Sequence, residues 1–287
     1  MRDMKSPLPI RGFPESARHK DSFTHAVIGK AMETHTALGP GLVEEFYHRE
    51  FSARLSAAGL EHESKPRRDL VHRGFLADTF EPDLVFPRRL ISELKALRGE
   101  FAPEHYAQLI SYLKFHDIAT GMLFDFGKAS LLFNRVVFTP VESMFPDVEI
   151  PPFVTGRETA ATLLRLLHEI HTDHGLGYRE TTYQGLLRAA LQAERIPFSA
   201  SPTSPIARWG VAQLRCIVVD ESCAVSVTAL GDEVSAAERA TLQACLRWLS
   251  LPWGLAVHFG RRTVDVRFTM RPKGLPTDSG KPQMEPR

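Results

Sequence analysis

From Phe23 to Leu38 apolar residues recur at helical spacing, and the run stops at Gly39-Pro40-Gly41, residues that end helices by backbone freedom and by a missing N–H. Val43 to Ala58 predicts a second helix, with Val43, Phe46, Tyr47, Phe51 and Leu55 on one face and Gly59 closing it. The pattern then shortens to strand-length runs. Leu70-Val71 and Phe75-Leu76-Ala77 flank a turn at His72-Arg73-Gly74. Asp83 to Phe86 and Leu90 to Leu97 flank Pro87-Arg88-Arg89, so two hairpins are expected. Pro103 suits the first turn of a helix running to about Phe115. Met122-Leu123-Phe124 and Leu131 to Phe138 read as further strands.

The same order then recurs. Gly41-x-x-Glu44-x-x-Tyr47 is matched by Gly177-x-x-Glu180-x-x-Tyr183, and His35-Thr36 by His171-Thr172. Leu94 to Leu97 is echoed by Val227 to Leu230, and Gly121 to Gly127 by Gly254 to Gly260. Four matches in one order predict an internal duplication of a single α/β unit. At 287 residues the chain suits two domains of ordinary size. The expected layout is an arm over 1–18, a first unit over 19–139, a proline-rich linker over 140–155, a second unit over 156–271 and a disordered tail over 272–287.

Candidate chemistry gathers on the second hairpin. Asp83 follows Pro82, and Glu93 and Lys95 share a face of the next strand, because strand side chains alternate with period two. Hard oxygen donors of this kind suit Mg²⁺ or Mn²⁺, which keep several waters and need few protein ligands. Asp83 and Glu93 are the expected metal ligands, with Glu44 early in its helix as a third. Lys95 would stabilise negative charge as it develops on a reacting phosphate. Gln108 and Tyr112, one helical turn apart, would orient the phosphate or the attacking water. A lone Glu-x-Lys is more often a solvent-facing strand pair; the preceding Pro-Asp at this distance is what gives the set its weight.

Taken together, Gly41-x-x-Glu44-x-x-Tyr47, Pro82-Asp83, Glu93-Leu94-Lys95 and Gln108-x-x-x-Tyr112 resemble the GxxExxY proteins of the PD-(D/E)XK nuclease superfamily. The resemblance is good over about residues 20–138 and faint over 157–270. It implies a restriction-endonuclease-like α/β fold: a mixed central sheet flanked by helices, here duplicated with a degenerate second copy. It also implies Mg-dependent cleavage of DNA or RNA, with Glu44, Asp83, Glu93 and Lys95 in the active-site positions. In the second copy Cys216, Ser226 and Thr228 stand where Asp83, Glu93 and Lys95 stand in the first, and Thr241 and Cys245 replace Gln108 and Tyr112. Without its carboxylates that copy is expected to be catalytically dead, completing the substrate groove or mimicking a dimer partner within one chain. The competing expectation is an inactive nucleic-acid- or protein-binding module on the same scaffold.

Composition narrows the picture in three ways. A net charge of +1 gives no global basic field for nucleic acid, leaving Lys65-Pro66-Arg67-Arg68 and Arg88-Arg89 as local basic candidates or solvated turns. No apolar run is long enough to span a bilayer, and the charged start at Arg2, Asp3 and Lys5 has no apolar core behind it, which argues against a signal peptide. Cys216, Cys223 and Cys245 lack zinc-site spacing and read as small buried hydrophobes of a cytoplasmic protein. His168-Glu169-Ile170-His171-Thr172-Asp173-His174 invites a zinc reading, but its first two histidines are three residues apart, not the four of a metalloprotease helix. His116 and His258 are expected to be packed or exposed, and Trp209, Trp248 and Trp253 to be core. No phosphate loop, nucleophile elbow or dinucleotide fingerprint is present.

Overall fold

A computed structural model describes residues 22–205, 210–231 and 234–272. The expected arm, most of the expected tail, and Trp209 lie outside the described residues. Helices α1 (Ser22–Leu38) and α2 (Glu44–Ala57) precede strands β1 (Glu63–Ser64), β2 (Arg68–His72), β3 (Phe75–Phe80), β4 (Leu84–Phe86) and β5 (Leu90–Lys95). Helix α3 (Pro103–His116) then leads to β6 (Thr120–Asp125) and β7 (Leu132–Val137). The five strands order as β1-β4-β5-β6-β7, and β2 and β3 form a separate ribbon. Only β5 and β6 run parallel; the other neighbours are antiparallel. Helix α3 is the crossover that this parallel pair requires. The result is a mixed sheet flanked by helices.

The second half has the same order: α4 (Arg157–His174), α5 (Glu180–Ala193), β8 (Phe198–Ser199), β9 (Thr203–Pro205), β10 (Val211–Gln213), β11 (Ile217–Val219), β12 (Cys223–Ala229), α6 (Ala236–Trp248), β13 (Trp253–Phe259) and β14 (Val264–Met270). Its sheet runs β8-β11-β12-β13-β14, again with one parallel pair in the third and fourth positions, β12 with β13. The registers agree residue by residue. Leu84 faces Ser92 as Ile217 faces Val225, and Ile91 faces Gly121 as Ala224 faces Gly254.

A tyrosine clasp recurs as well. The Tyr47 hydroxyl donates to the Gly39 carbonyl (2.7 Å) and accepts from the Leu42 N–H (3.1 Å). The Tyr183 hydroxyl donates to Gly175 (2.6 Å) and accepts from Tyr178 (3.4 Å). Gly41 and Gly177 have φ of 103° and 116°, a backbone region that strains any side-chain-bearing residue, so the loop between the paired helices needs them.

Hydrophobic burial explains where the sheet sits. On β5, Leu90 and Leu94 join the core under α1 and α2, with Val27, Tyr47, Phe51 and Leu55. Ile91, on the opposite face, joins the core that holds Leu109, Tyr112 and Leu113 of α3. That second core continues into the C-terminal half through Leu163, Leu186, Ala190, Val225 and Trp253. At the seam α5 lies on β3. Asp78 accepts from Thr182 (2.5 Å) and Arg179 (3.4 Å), and a methyl group at Gly185 would meet the Ala77 carbonyl. The segment over 140–155 packs too: Val154 is buried, and Trp253 Nε1 donates to the Thr155 carbonyl (2.7 Å).

Three sequence expectations need correction. The apolar face of α2 begins at Tyr47: Val43 is the N-cap with extended backbone, and Phe46 is 55% exposed on the outer side. His72 belongs to β2 and is buried, so the turn is Arg73-Gly74 alone. Trp253 is core, whereas Trp248, the last residue of α6, is partly exposed.

Candidate active site

Strand β5 lies between β4 and β6, and from Leu90 to Glu93 every side chain on it is buried. A strand buried on both faces should be uniformly apolar. Ser92 and Glu93 break that rule, and Glu93 is only 3% exposed. One step beyond the Leu84–Ser92 pair, Asp83 stands opposite Glu93. By alternation Asp83, Glu93 and Lys95 share the face of Val85 and Ile91, toward α3.

The polar contacts are specific. Lys95 Nζ donates to Glu93 Oε1 at 2.7 Å. The Leu94 N–H donates to Asp83 Oδ2 at 2.8 Å. The Asp83 carbonyl accepts from the Lys65 N–H (2.9 Å) and lies 3.2 Å from His48 Nε2. Gln108 Nε2 donates to the Tyr112 hydroxyl (2.8 Å), which donates to the Glu81 carbonyl (3.3 Å). Gln108 and Tyr112 thus fasten the loop that carries Asp83. Glu44 is the first residue of α2, where the helix dipole favours a carboxylate.

Burial dominates the electrostatics. It pushes Glu93 up to about 8, and the neighbouring Asp83 charge adds to the rise against the pull of Lys95. Burial also raises Asp83, opposed by the Leu94 N–H and by Lys95. Glu44 rises through burial and Asp83, with Lys95 opposing. For Lys95 burial works downward, but Glu93, Glu44 and Asp83 together lift it above the ordinary lysine value. Burial and Glu93 raise Tyr112. Three carboxyl groups therefore share one well-buried ammonium.

A hard divalent cation fits this set. Glu93 Oε2 is buried with no hydrogen-bond partner, the Asp83 charge disfavours ionisation of Glu93, and burial disfavours ionisation of both. An ion with oxygen preference would relieve both. The carboxylates are not drawn together as a finished cage: Glu44, Asp83 and Glu93 do not bring one oxygen each within 4.8 Å of one another.

Two participants escape a reading of the linear motif. His48 is buried one turn after Glu44 on α2, and the Glu44-x-x-x-His48 spacing is the signal that puts both on one side. Asp125, fully buried at the end of β6, pairs with Lys95 in the strand register and accepts from the N–H groups of Leu97 and Gly127 (2.9 Å each). Of the basic candidates, Lys65 is bound to Glu45 (2.7 Å), Arg68 to Glu63 (3.0 Å), and Arg89 lies over the Phe23 ring.

Residues 21–136 match the family model of the PD-(D/E)XK nuclease superfamily. Over this segment the chain is similar to that superfamily. The match runs from just before α1 to within β7, so it takes in Glu44, Asp83, Glu93, Lys95, Gln108 and Tyr112. Neither a search of curated proteins nor one of solved structures found a match. A PD-(D/E)XK nuclease acts on nucleic acid, generally with a divalent metal, and among the described residues no helix is long and apolar enough to cross a membrane.

Outside the matched segment, the corresponding positions carry different chemistry. The registers put Ser226 at the place of Glu93 and Thr228 at that of Lys95. Thr228 Oγ1 lies 2.8 Å from Nδ1 of His258, a buried residue in the register place of Asp125. Cys216 precedes β11 as Asp83 precedes β4, and it packs with Cys245 of α6 in a small apolar core. All three cysteines are buried and free. Glu180 persists at the start of α5, with Gln184 donating to it (2.9 Å).

Proposed function

We propose that the N-terminal half hydrolyses phosphodiester bonds in DNA or RNA, with Asp83, Glu93 and Glu44 holding Mg²⁺ or Mn²⁺. The observation that carries the reading is Glu93: fully enclosed, beside a second buried carboxyl, with one oxygen tied to Lys95 and the other without a partner. Keeping such a group in a folded core costs several kcal/mol by order of magnitude, and a purely structural strand has no use for it. When bound, the ion supplies a polarised phosphoryl oxygen and a water of lowered pKa.

The chain's own residues do the rest. Lys95 carries a fixed positive charge to where negative charge develops on phosphate, in a site too dry to screen it. Gln108 and Tyr112 act as positioning residues, since their contacts hold the Glu81–Asp83 loop. His48 and Lys65 brace the same loop from the other side.

The C-terminal half is read as a duplicated copy that has lost this chemistry and completes the fold as an internal partner, a pseudo-dimer within one chain. Its identical strand registers support that view. Buried free thiols favour a reducing compartment such as the cytoplasm.

The test is purified full-length protein with Mg²⁺ or Mn²⁺ against single- and double-stranded DNA and RNA, beside Lys95→Ala. Loss of the ammonium should slow cleavage by about 10²–10³. Unchanged metal-dependent cleavage in the variant would reject the assignment. Metal-independent binding with a steep salt slope and no cleavage would favour a binding module instead.

A further inference from the structure

A second cluster of ligating side chains lies away from the carboxylates, at the seam between the halves. His72 Nδ1, at the end of β2, is 3.0 Å from His174 Nε2, the last residue of α4, although 102 positions separate them. Asp173 Oδ2 is 3.9 Å from the same His72 nitrogen. One atom from each residue lies within 4.8 Å of the other two, and this is the group of three His, Cys, Asp or Glu residues that converges so closely among the described residues.

We propose that His72, Asp173 and His174 bind one first-row transition-metal ion, with zinc as the best fit, and so join the two halves of the chain. Two imidazoles and a carboxylate are the donor set zinc takes, leaving a fourth tetrahedral position for water. With Zn–N bonds of about 2.0–2.1 Å, ligand atoms in a tetrahedral site lie about 3.3 Å apart, so the imidazole pair must open by only a few tenths of an ångström. The rings meet at 70° with centroids 4.9 Å apart, so they do not stack. Asp173 is exposed enough to swing inward, its side chain being 57% accessible.

The surroundings favour ligation. Burial, then His72, holds His174 down to about 4, and burial lowers His72, shifts that favour the neutral, ligating form of each ring. Asp173 and Glu169 supply negative charge toward His72. Arg73 is engaged by Glu194 (2.7 Å) and Glu169 (3.7 Å). Lys114, the cation facing His174, lies over the Tyr178 ring and is held down to about 8 by burial. The His168-x-x-His171 pair takes no part, since His171 Nε2 is committed to Ser143 Oγ at 2.7 Å. The linear motif thus contributed only its last two residues, and the deciding ligand comes from the other half.

The experiment uses full-length protein stripped of metal and titrated with Zn²⁺ against a chromophoric chelator, with Co²⁺ substitution read by visible absorption. One equivalent should bind, the Co²⁺ form should show the strong visible bands of a tetrahedral site, and the unfolding midpoint should rise by a few degrees. His174→Gln and Asp173→Asn each remove a direct ligand and should weaken zinc binding by at least the roughly 10–100-fold that loss of an outer-shell partner costs, while His168→Gln should leave it unchanged. Circular dichroism confirms that each variant is folded, and Asp173→Asn, at an exposed position, serves if His174→Gln is not. The Glu93→Gln protein should still bind its equivalent. No stoichiometric binding at micromolar zinc, full affinity in a folded His174→Gln, or loss of the ion in Glu93→Gln but not in His174→Gln would each overturn the proposal.

Discussion

Replacing Glu93 by Gln separates folding from chemistry. The change keeps the shape of the side chain and removes a carboxyl whose folded pKa is raised from 4.5 to about 8, chiefly by burial. The sign follows from proton binding. A carboxyl with a raised folded pKa binds its proton more tightly when folded. Its stabilising contribution is complete below about 4.5 and is lost as the pH rises through about 8. For a shift of that size, the metal-free wild type should lose about 2–3 kcal/mol between pH 5 and pH 7 from this group, by order of magnitude. Lys95 tempers the loss, and the lowered histidines His72, His116 and His174 act in the opposite direction. The useful quantity is therefore the difference between the two proteins. Urea unfolding in chelator at pH 5, 6, 7 and 8 should show Glu93→Gln gaining on the wild type as the pH rises, by roughly 2 kcal/mol or more at pH 7. Saturating Mg²⁺ should narrow the gap, because the ion favours the ionised wild-type carboxylate. Cleavage by the variant should be nearly abolished. Parallel pH profiles for the two proteins would refute the claim that burial strains this residue.

Gly185→Ala should destabilise the whole chain by about 3 kcal/mol or more in urea unfolding, since α5 cannot rise off the Ala77 carbonyl without opening the core; a loss under 1 kcal/mol would show that the seam yields. Tyr47→Phe and Tyr183→Phe should each cost about 1–2 kcal/mol of thermal or urea stability. Their effects should add in the double variant if the two clasps act independently. Asp78→Ala should remove two contacts across the seam and cost about 1–3 kcal/mol, measured the same way.

Much of this architecture was legible in the chain. Helical spacing located α1 and α3 to within a residue, and alternation put Glu93 and Lys95 on one face. The motif spacing also paired the two halves as the strand registers do. What escaped was long-range. Nothing near Phe46 says that α2 turns this side outward, because the face is chosen by the sheet beneath and not by the helix. Nothing in the polar sequence around His48 marks it out, since its approach to the Asp83 carbonyl spans 35 positions. The local sequence marks His72 as a turn residue, because its partner His174 lies 102 positions away. The spacing of Gln108 and Tyr112 puts them on one side of α3, but it does not show the link from Tyr112 to the Glu81 carbonyl.

Because a single interior threads both halves, the N-terminal half has no finished surface of its own. Cutting the chain after residue 139 would lay open Leu70, Ala77, Phe80 and Leu113 to water, and the fragment should aggregate before it could be assayed. A single added methyl at Gly185, in the C-terminal half, would press on the Ala77 carbonyl and so disturb the half that carries Asp83 and Glu93.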